Sequence, residues 1–306
     1  MEKVSVGIDI GGSHITCQLF DLNSNKLVEG TKIRITVDGN GLKESILGSW
    51  GKAIQRTISQ TDKNKLAGIG FAMPGPFDYK NGVAWFDKKV GKFHSLHGVN
   101  VKTELQKRLD LSIGFPFRFL NDAVAFAVGE SNTESVSMFR RVLVLTLGTG
   151  FGSTFIENGL PVAGKYGIPD DGFLYHVPFK TGIADEYFST RWFRNEYKIK
   201  TGEEILGVKE LADIAEKNDK VLSLFHEFGK NLVDFLIPWI QAFNAECIVL
   251  GGNISKSLAL FENKMAENLI NNNLKVNICR STLDEGAALT GSARLCDDEF
   301  YNNITF

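Results

Sequence analysis

The chain has 306 residues, 43% of them hydrophobic and 23% charged, with a formal net charge of −2. The length suits two domains of roughly 150 residues each. The charge balance offers no basic surface for a nucleic acid, and no apolar run reaches the roughly 20 residues of a membrane span. Cys17, Cys247, Cys279 and Cys296 are too scattered for a disulfide framework or a zinc knuckle, which points to reduced thiols and the cytoplasm. Met1-Glu2-Lys3 runs directly into an apolar alternation, so no signal peptide is expected.

Val4, Val6, Ile8 and Ile10 alternate, as do Ile15, Cys17 and Leu19, with Gly11-Gly12 between them. That pattern predicts strands over 4–10 and 14–20 joined as a hairpin. A third strand is expected over 26–36. Leu42, Ile46, Trp50, Ile54 and Ile58 recur every four residues and predict a helix over 42–60. A strand over Leu66–Phe71 ends at the turn Met73-Pro74-Gly75-Pro76, and a helix follows near 100–110. Phe115–Leu120 reads as a strand, followed by Asn121-Asp122 and a helix from Ala123 to Glu130. Arg141–Leu147 and Ser153–Glu157 form a second glycine-linked strand pair. Residues 158–184 read as irregular, and helices then dominate to 243. The stretch Phe235–Phe243 is the most apolar, and Pro238 within it marks it as core. Cys247–Leu250 is a short buried strand, Gly251-Gly252 a turn, and a helix starts near Ile254. A strand over Val276–Cys279 and a last helix over 285–295 complete the chain. The glycine-rich turns at Ile10–Ser13 and Thr149–Ser153 each join two apolar strands, a faint internal repeat that suggests a duplicated α/β fold with a cleft between its halves.

Four motifs carry chemistry. In Asp9-Ile10-Gly11-Gly12-Ser13 an acid closes a buried strand and a glycine turn follows. Glycines let backbone N–H groups close on a phosphate, and Asp9 is placed to hold magnesium through water. An ordinary hairpin explains the same residues. In Leu147-Gly148-Thr149-Gly150-Phe151-Gly152-Ser153 alternate glycines expose backbone donors and Thr149 adds a hydroxyl. The pattern is neither GxGxxG nor a P-loop, and a plain strand turn is its bland reading. Asn121-Asp122 stands at the carboxyl end of a strand, where α/β proteins bind ligands. Its carboxylate suits a base that accepts a hydroxyl proton in phosphoryl transfer, while Asn and Asp are also favoured helix N-caps. Leu250-Gly251-Gly252-Asn253-Ile254 joins a strand to a helix N-terminus and could meet a nucleotide; an ordinary strand–helix turn fits nearly as well.

In this order the motifs resemble those of the ROK sugar kinases of the actin-like ATPase superfamily, over nearly the whole chain. Asp9–Ser13 resembles the family's DxGGT phosphate motif, Pro74-Gly75 its sugar-side turn and Asn121-Asp122 its ND pair. Leu147–Ser153 resembles the second phosphate loop, Gly251-Gly252 the adenosine motif and Gly286-Ala287-Ala288 the final helix. The resemblance implies a duplicated actin-like ATPase (ribonuclease H-like) α/β fold of two domains with a central cleft. The first domain is expected over 1–120, completed by a C-terminal helix at 288–306, and a sugar/nucleotide-binding domain over 121–287. It implies ATP-dependent phosphorylation of a hexose hydroxyl, glucokinase-like, with ATP and Mg2+ as cofactors and closure of the domains excluding water. Asp122 is then the general base, and Asn121 and Gly75 lie at the sugar. Asp9 assists magnesium. Gly11, Gly12, Ser13, Gly148, Thr149 and Gly150 contact phosphates, and Gly251 and Gly252 the adenosine. The partners implied are a small-molecule sugar and ATP, with no nucleic acid and no membrane. A homodimer is implied only in that the family often forms one.

The departures matter as much. Family members carry an ExGH sugar motif and a CxCGxxGC zinc site after the second phosphate loop. Here Ala163–His176 holds neither, so no structural zinc site is expected. Asp170, Asp171, His176, Asp185 and Glu186 are the candidates to replace the missing sugar ligands, and sequence does not choose among them. His94 and His97 read as solvated loop residues, and His14 has no assigned role. An N-acetylmannosamine or N-acetylglucosamine kinase is one alternative. A non-catalytic sugar-binding regulator is another; the family's repressors carry an added N-terminal helix-turn-helix domain, and here the first strand begins at once, against a DNA-binding role. The phenylalanines, 23 in all, fall in apolar periodic segments and read as core.

Overall fold

The computed structural model describes residues 3–87 and 91–304. Its strands and helices run β1 Val4–Ile10, β2 His14–Asp21, β3 Lys26–Leu27, β4 Ile33–Thr36, α1 Lys43–Ile58, β5 Leu66–Met73, β6 Phe77–Asp78, β7 Val83–Ala84, α2 Val101–Arg108, β8 Phe117–Asn121 and α3 Asp122–Glu130. They continue as β9 Arg141–Leu147, β10 Phe151–Glu157, β11 Leu160–Val162, β12 Pro178–Phe179, β13 Gly182–Ile183, α4 Ala184–Tyr187, α5 Thr190–Thr201, α6 Val208–Ala215 and α7 Asp219–Phe243. The last are β14 Cys247–Gly251, α8 Glu262–Asn271, β15 Asn277–Arg280, α9 Gly286–Arg294 and α10 Asp298–Asn303. The chain divides into two compact units, Met1–Gly129 with Glu285–Phe306, and Glu130–Asp284.

The first unit is built on a sheet in the order β3-β2-β1-β5-β8, with β4 also paired to β2. β1 and β2 are antiparallel, closing at Ile10 opposite Ile15, while β5 is parallel to β1 and β8 parallel to β5. The expected single strand over 26–36 is two short ones. Gly30 adopts φ 76 and the Thr31 hydroxyl donates to the Val28 carbonyl at 2.7 Å, which turns the backbone away from the ladder. Helix α1 buries Ile46, Leu47, Trp50, Ala53, Ile54 and Ile58, the apolar stripe that its four-residue repeat predicts. Helix α9 returns to this unit over β1 and β5. A Cβ on Gly7 would stand 2.1 Å from the Leu289 carbonyl oxygen, and one on Gly70 1.8 Å from that of Ser292, so helix and sheet meet backbone to backbone. The Ser292 hydroxyl accepts from the Ile8 N–H at 3.0 Å and the Ser5 hydroxyl donates to the Ala293 carbonyl at 3.0 Å. The terminal helix expected over 288–306 is thus two helices, with Asp297 capping α10 through the Glu299 and Phe300 N–H groups; residues 305–306 lie outside the described residues.

The second unit repeats the plan in the order β11-β10-β9-β14-β15, again an antiparallel hairpin followed by parallel strands. The stretch read as irregular, 158–184, contains β11 and the two-strand ladder of β12 and β13. These strands are too short to show a period of two. Helix α7 starts at Asn218, whose side chain accepts from the Lys220 and Val221 N–H groups, runs through Pro238 and ends at Asn244 in the left-handed region. Its buried face joins Phe151, Phe188, Phe193, Phe225, Phe228 and Phe235 in one aromatic core. Cys247 and Cys279 sit on β14 and β15 with sulfurs 3.5 Å apart. The helix expected at Ile254 is a 3₁₀ segment, Ile254–Leu260, kinked at Ser257. Among the described residues no helix is long and apolar enough to cross a membrane.

Candidate active site

In the first unit three parallel strands end side by side. Asp9 on β1 pairs with Ala72 on β5, and Met73 pairs with Asn121 on β8. The carboxyl ends therefore bring Asp9, the Pro74-Gly75 turn and Asn121-Asp122 to one edge of the sheet, with β1 and β8 about 10 Å apart at two strand spacings. The Gly11-Gly12 turn caps this edge. The Gly11 N–H donates to the His14 carbonyl at 2.9 Å, and Gly12 and Ser13 are exposed at its tip. Ser13 Oγ and His14 Nδ1 share a hydrogen bond of 2.8 Å, which gives His14 a partner that the sequence did not assign. Asn121 Oδ1 accepts from the Ala123 and Val124 N–H groups at 3.0 and 3.3 Å, so it does cap α3. Its amide nitrogen donates to the Tyr79 hydroxyl at 3.2 Å, which donates in turn to the Met73 carbonyl at 3.2 Å. A Cβ on Gly75 would lie 3.5 Å from that same hydroxyl. Tyr79 thus ties the Pro74-Gly75 turn to Asn121.

Burial raises the pKa of Asp9 to about 6, helped by the negative charges of Asp122 and Glu285 and opposed by Lys92 and Arg34. Burial also raises that of Asp122, against the Ala123 N–H, which Asp122 Oδ1 accepts at 2.9 Å, and the charge of Lys92. A buried carboxylate with a raised pKa is a stronger proton acceptor than an exposed one. One carboxylate on a strand end suits magnesium, which takes one or two carboxylates and completes its shell with water and phosphate. Among the described residues no three His, Cys, Asp or Glu side chains converge as a metal cage.

In the second unit β9 and β14 end together, Thr146 opposite Gly251. The turn Gly148-Thr149-Gly150 and the turn Gly251-Gly252 therefore share an edge. Thr149 and Gly150 are exposed. The Gly148 carbonyl accepts from the Thr190 N–H at 2.8 Å and the Thr190 hydroxyl at 2.9 Å, which anchors the turn to the start of α5. Asp185 Oδ1 accepts from the Phe151 N–H at 2.8 Å, and its other oxygen pairs with Arg191. A Cβ on Gly150 would lie 3.0 Å from Asp185 Oδ1. Gly252, at φ 80, has a steric reason of its own: a Cβ there would stand 2.4 Å from the Leu147 carbonyl oxygen. Of the five candidates to replace the missing sugar ligands, Asp185 is the one bonded to the second glycine turn. Glu186 accepts from the Ile183 N–H at 3.2 Å, His176 is exposed 4.0 Å from Asp171, and Asp170 is exposed.

The ROK family profile matches residues 5–299. The chain belongs to the ROK family. A glucokinase of Thermotoga maritima is 25% identical over 95% of this chain and 96% of its own length. An N-acetyl-D-glucosamine kinase of Haemophilus influenzae is 26% identical over 84% of this chain and 86% of its own. Among solved structures, a ROK family glucokinase from Streptomyces griseus in complex with glucose and AMPPNP superposes with a TM-score of 0.73 at 20% identity, covering 95% of this chain and 98% of that one. A ROK family transcriptional regulator superposes at 0.78 and 16%, covering 97% of this chain and 78% of that one. The fold of this ROK protein is the actin-like ATPase fold of its family.

Sequence reasoning missed Tyr79, Lys92 and Thr190. None lies beside a glycine pair; Tyr79 and Lys92 reach their edge through loops, and Thr190 through the first turn of α5. His97 is exposed, as a loop residue should be, and its Nδ1 lies 3.1 Å from the Phe86 carbonyl. His94 opens a 3₁₀ turn with Nδ1 buried, which corrects its reading as solvated: the turn is pinned beneath Phe93, a fully buried ring.

Proposed function

We propose that this ROK protein transfers the terminal phosphoryl group of ATP to a hydroxyl of a hexose, with Asp122 as the base. The observation that carries the reading is the edge formed by β1, β5 and β8, which Asp122, half-buried and with a raised pKa, shares with Asp9 and the exposed Gly11-Gly12 turn. Asp122 takes the hydroxyl proton. The hydroxyl oxygen bonds to phosphorus, and the bond to the bridging oxygen breaks with its electron pair leaving on ADP. Asn121 and Gly75 position the sugar, held by Tyr79. Gly11, Gly12 and Ser13, with Gly148, Thr149 and Gly150, offer backbone and hydroxyl donors to phosphate, and Gly251-Gly252 receives the adenosine. Magnesium, when bound through water at Asp9, would neutralise charge on the phosphates.

The glucokinase and N-acetylglucosamine kinase relatives support sugar phosphorylation and leave two acceptors, a hexose and an N-acetylhexosamine. The test is ADP release with ATP and magnesium across a panel of both, with Asp122→Asn as control. Sugar-dependent turnover that drops by about 10²–10⁴-fold in the variant establishes the kinase and names the acceptor. Sugar binding without turnover would replace this reading with that of a regulator, the role of the transcriptional regulator that shares the fold.

A further inference from the structure

Two segments of the first unit, 37–39 and 92–93, converge on the Gly11-Gly12 turn. The Val37 N–H donates to the Ser13 carbonyl at 2.8 Å, and a Cβ on Gly39 would stand 2.6 Å from the Gly12 carbonyl oxygen. The Gly39 carbonyl accepts in turn from the Phe93 N–H at 2.6 Å. Phe93 holds a left-handed backbone, φ 58, a strained choice for an aromatic residue. Its ring is fully buried, edge-on to Trp50 at 5.4 Å and tilted against Phe86 at 5.6 Å. The residue before it is therefore fixed at its backbone, and that residue is Lys92.

The Lys92 stem runs along the turn. A Cβ placed on Gly12 would lie 3.4 Å from Lys92 Cδ and 4.0 Å from Nζ. Among the described residues the ammonium makes no ion pair, and it stands 5.8 Å from the Phe93 ring centroid. Its charge reaches both Asp9 and Asp122. A lysine so placed is half-buried, anchored and uncommitted, one glycine away from the turn that would cradle phosphate.

We propose that the Lys92 ammonium holds the phosphoryl group while it passes from ATP to the acceptor, over the Gly11-Gly12 turn; this rests on the kinase reading above. In such transfers charge spreads over the three equatorial oxygens, and a compact point charge stabilises it without bonding to it. Lys92 keeps its proton throughout. The hydroxyl proton goes to Asp122, and the electron pair of the broken bond goes to ADP. A side chain at position 12 would pack in ordinary van der Waals contact with the Lys92 stem.

The test uses the full chain and Lys92→Gln, which keeps most of the stem, with Lys92→Arg to restore the charge. Affinity for AMPPNP, which carries the terminal phosphoryl mimic, is compared with affinity for ADP by calorimetry, and turnover is measured with ATP. The expected result is a loss of about 10²–10³-fold in kcat for Lys92→Gln, AMPPNP weakened about tenfold or more with ADP within about twofold, and the preference for AMPPNP recovered in Lys92→Arg. Equal weakening of both nucleotides would show a packing role and overturn the proposal. So would an active protein whose kcat is unchanged by Lys92→Gln, leaving the kinase reading intact. A wild-type chain inactive on every sugar, yet with AMPPNP binding that depends on Lys92, would overturn the kinase reading and keep the phosphate contact.

Discussion

Asp9 and Asp122 show how a sheet edge sets chemistry residue by residue. Asp9 has an ordinary pKa of 3.8 raised to about 6, so the folded chain holds its proton more tightly than the unfolded chain does. Such a group costs stability as the pH rises from about 4 to about 6, and the full cost persists above that range. Asp9→Asn in the metal-free protein should therefore be more stable than wild type by roughly 1–3 kcal/mol at pH 7.5 and nearly equal to it at pH 4, by thermal unfolding at each pH. A gain of the same size at both values would refute the burial argument. Asp122 must be ionised to act, and burial raises its pKa. The acid limb of kcat should then fall at a pH above the ordinary carboxylate value of 3.8, and a limb at or below that value would remove Asp122 as the base. Both aspartates were visible in the sequence because each ends an apolar run beside glycine or asparagine. Tyr79 and Lys92 were not, since their places depend on a hydroxyl bridge and on Phe93 anchoring a loop.

Helices α1 and α9 make the opposite lesson about glycine. Gly291 on α9 faces the Ala125 carbonyl oxygen, 1.8 Å from where a Cβ would be. Gly48 on α1 is exposed with nothing within 4 Å. Alanine is better than glycine in a helix by about 1 kcal/mol, so Gly48→Ala should stabilise by up to about that amount. Gly291→Ala gains the same propensity but forces two backbones apart, and overpacking of this kind costs on the order of 1–3 kcal/mol or more. The expected outcome is opposite signs in denaturant midpoints; stabilisation by both would mean that α9 can shift freely. Helix α1 was legible from its own sequence because its burial follows a period of 3.6. The seats of α9 were not legible, because Gly7, Gly70 and Gly129 receive a helix that is distant in sequence. Likewise β3 and β4 looked like one strand until Gly30 turned the chain.

At the scale of the molecule, duplication was readable from two glycine turns, and the structure shows it as one strand order used twice. Each unit has its own core, with Val6, Phe71 and Trp50 in one and Leu143, Phe228 and Phe243 in the other. Residues 130–284 are contiguous and hold every strand of their sheet. This fragment should unfold cooperatively on its own. Residues 1–129 alone should not, whereas a short Gly/Ser linker joining 129 to 285 should restore folding, because Gly129 already lies against Ala287. Circular dichroism melts of the three fragments decide this, and a cooperative transition in 1–129 alone would show α9 to be dispensable.

The seating of α9 on Gly7 and Gly70 also sets an order of events during synthesis. The first strands leave the ribosome early, but the helix that covers them is translated only after residues 130–284. Throughout translation the nascent first unit keeps an open apolar face, a target for holdase chaperones, while residues 130–284 can mature behind it as soon as they emerge. Ribosomes stalled before codon 286 would therefore display a finished middle and an unfinished first unit, which translation through α9 would complete.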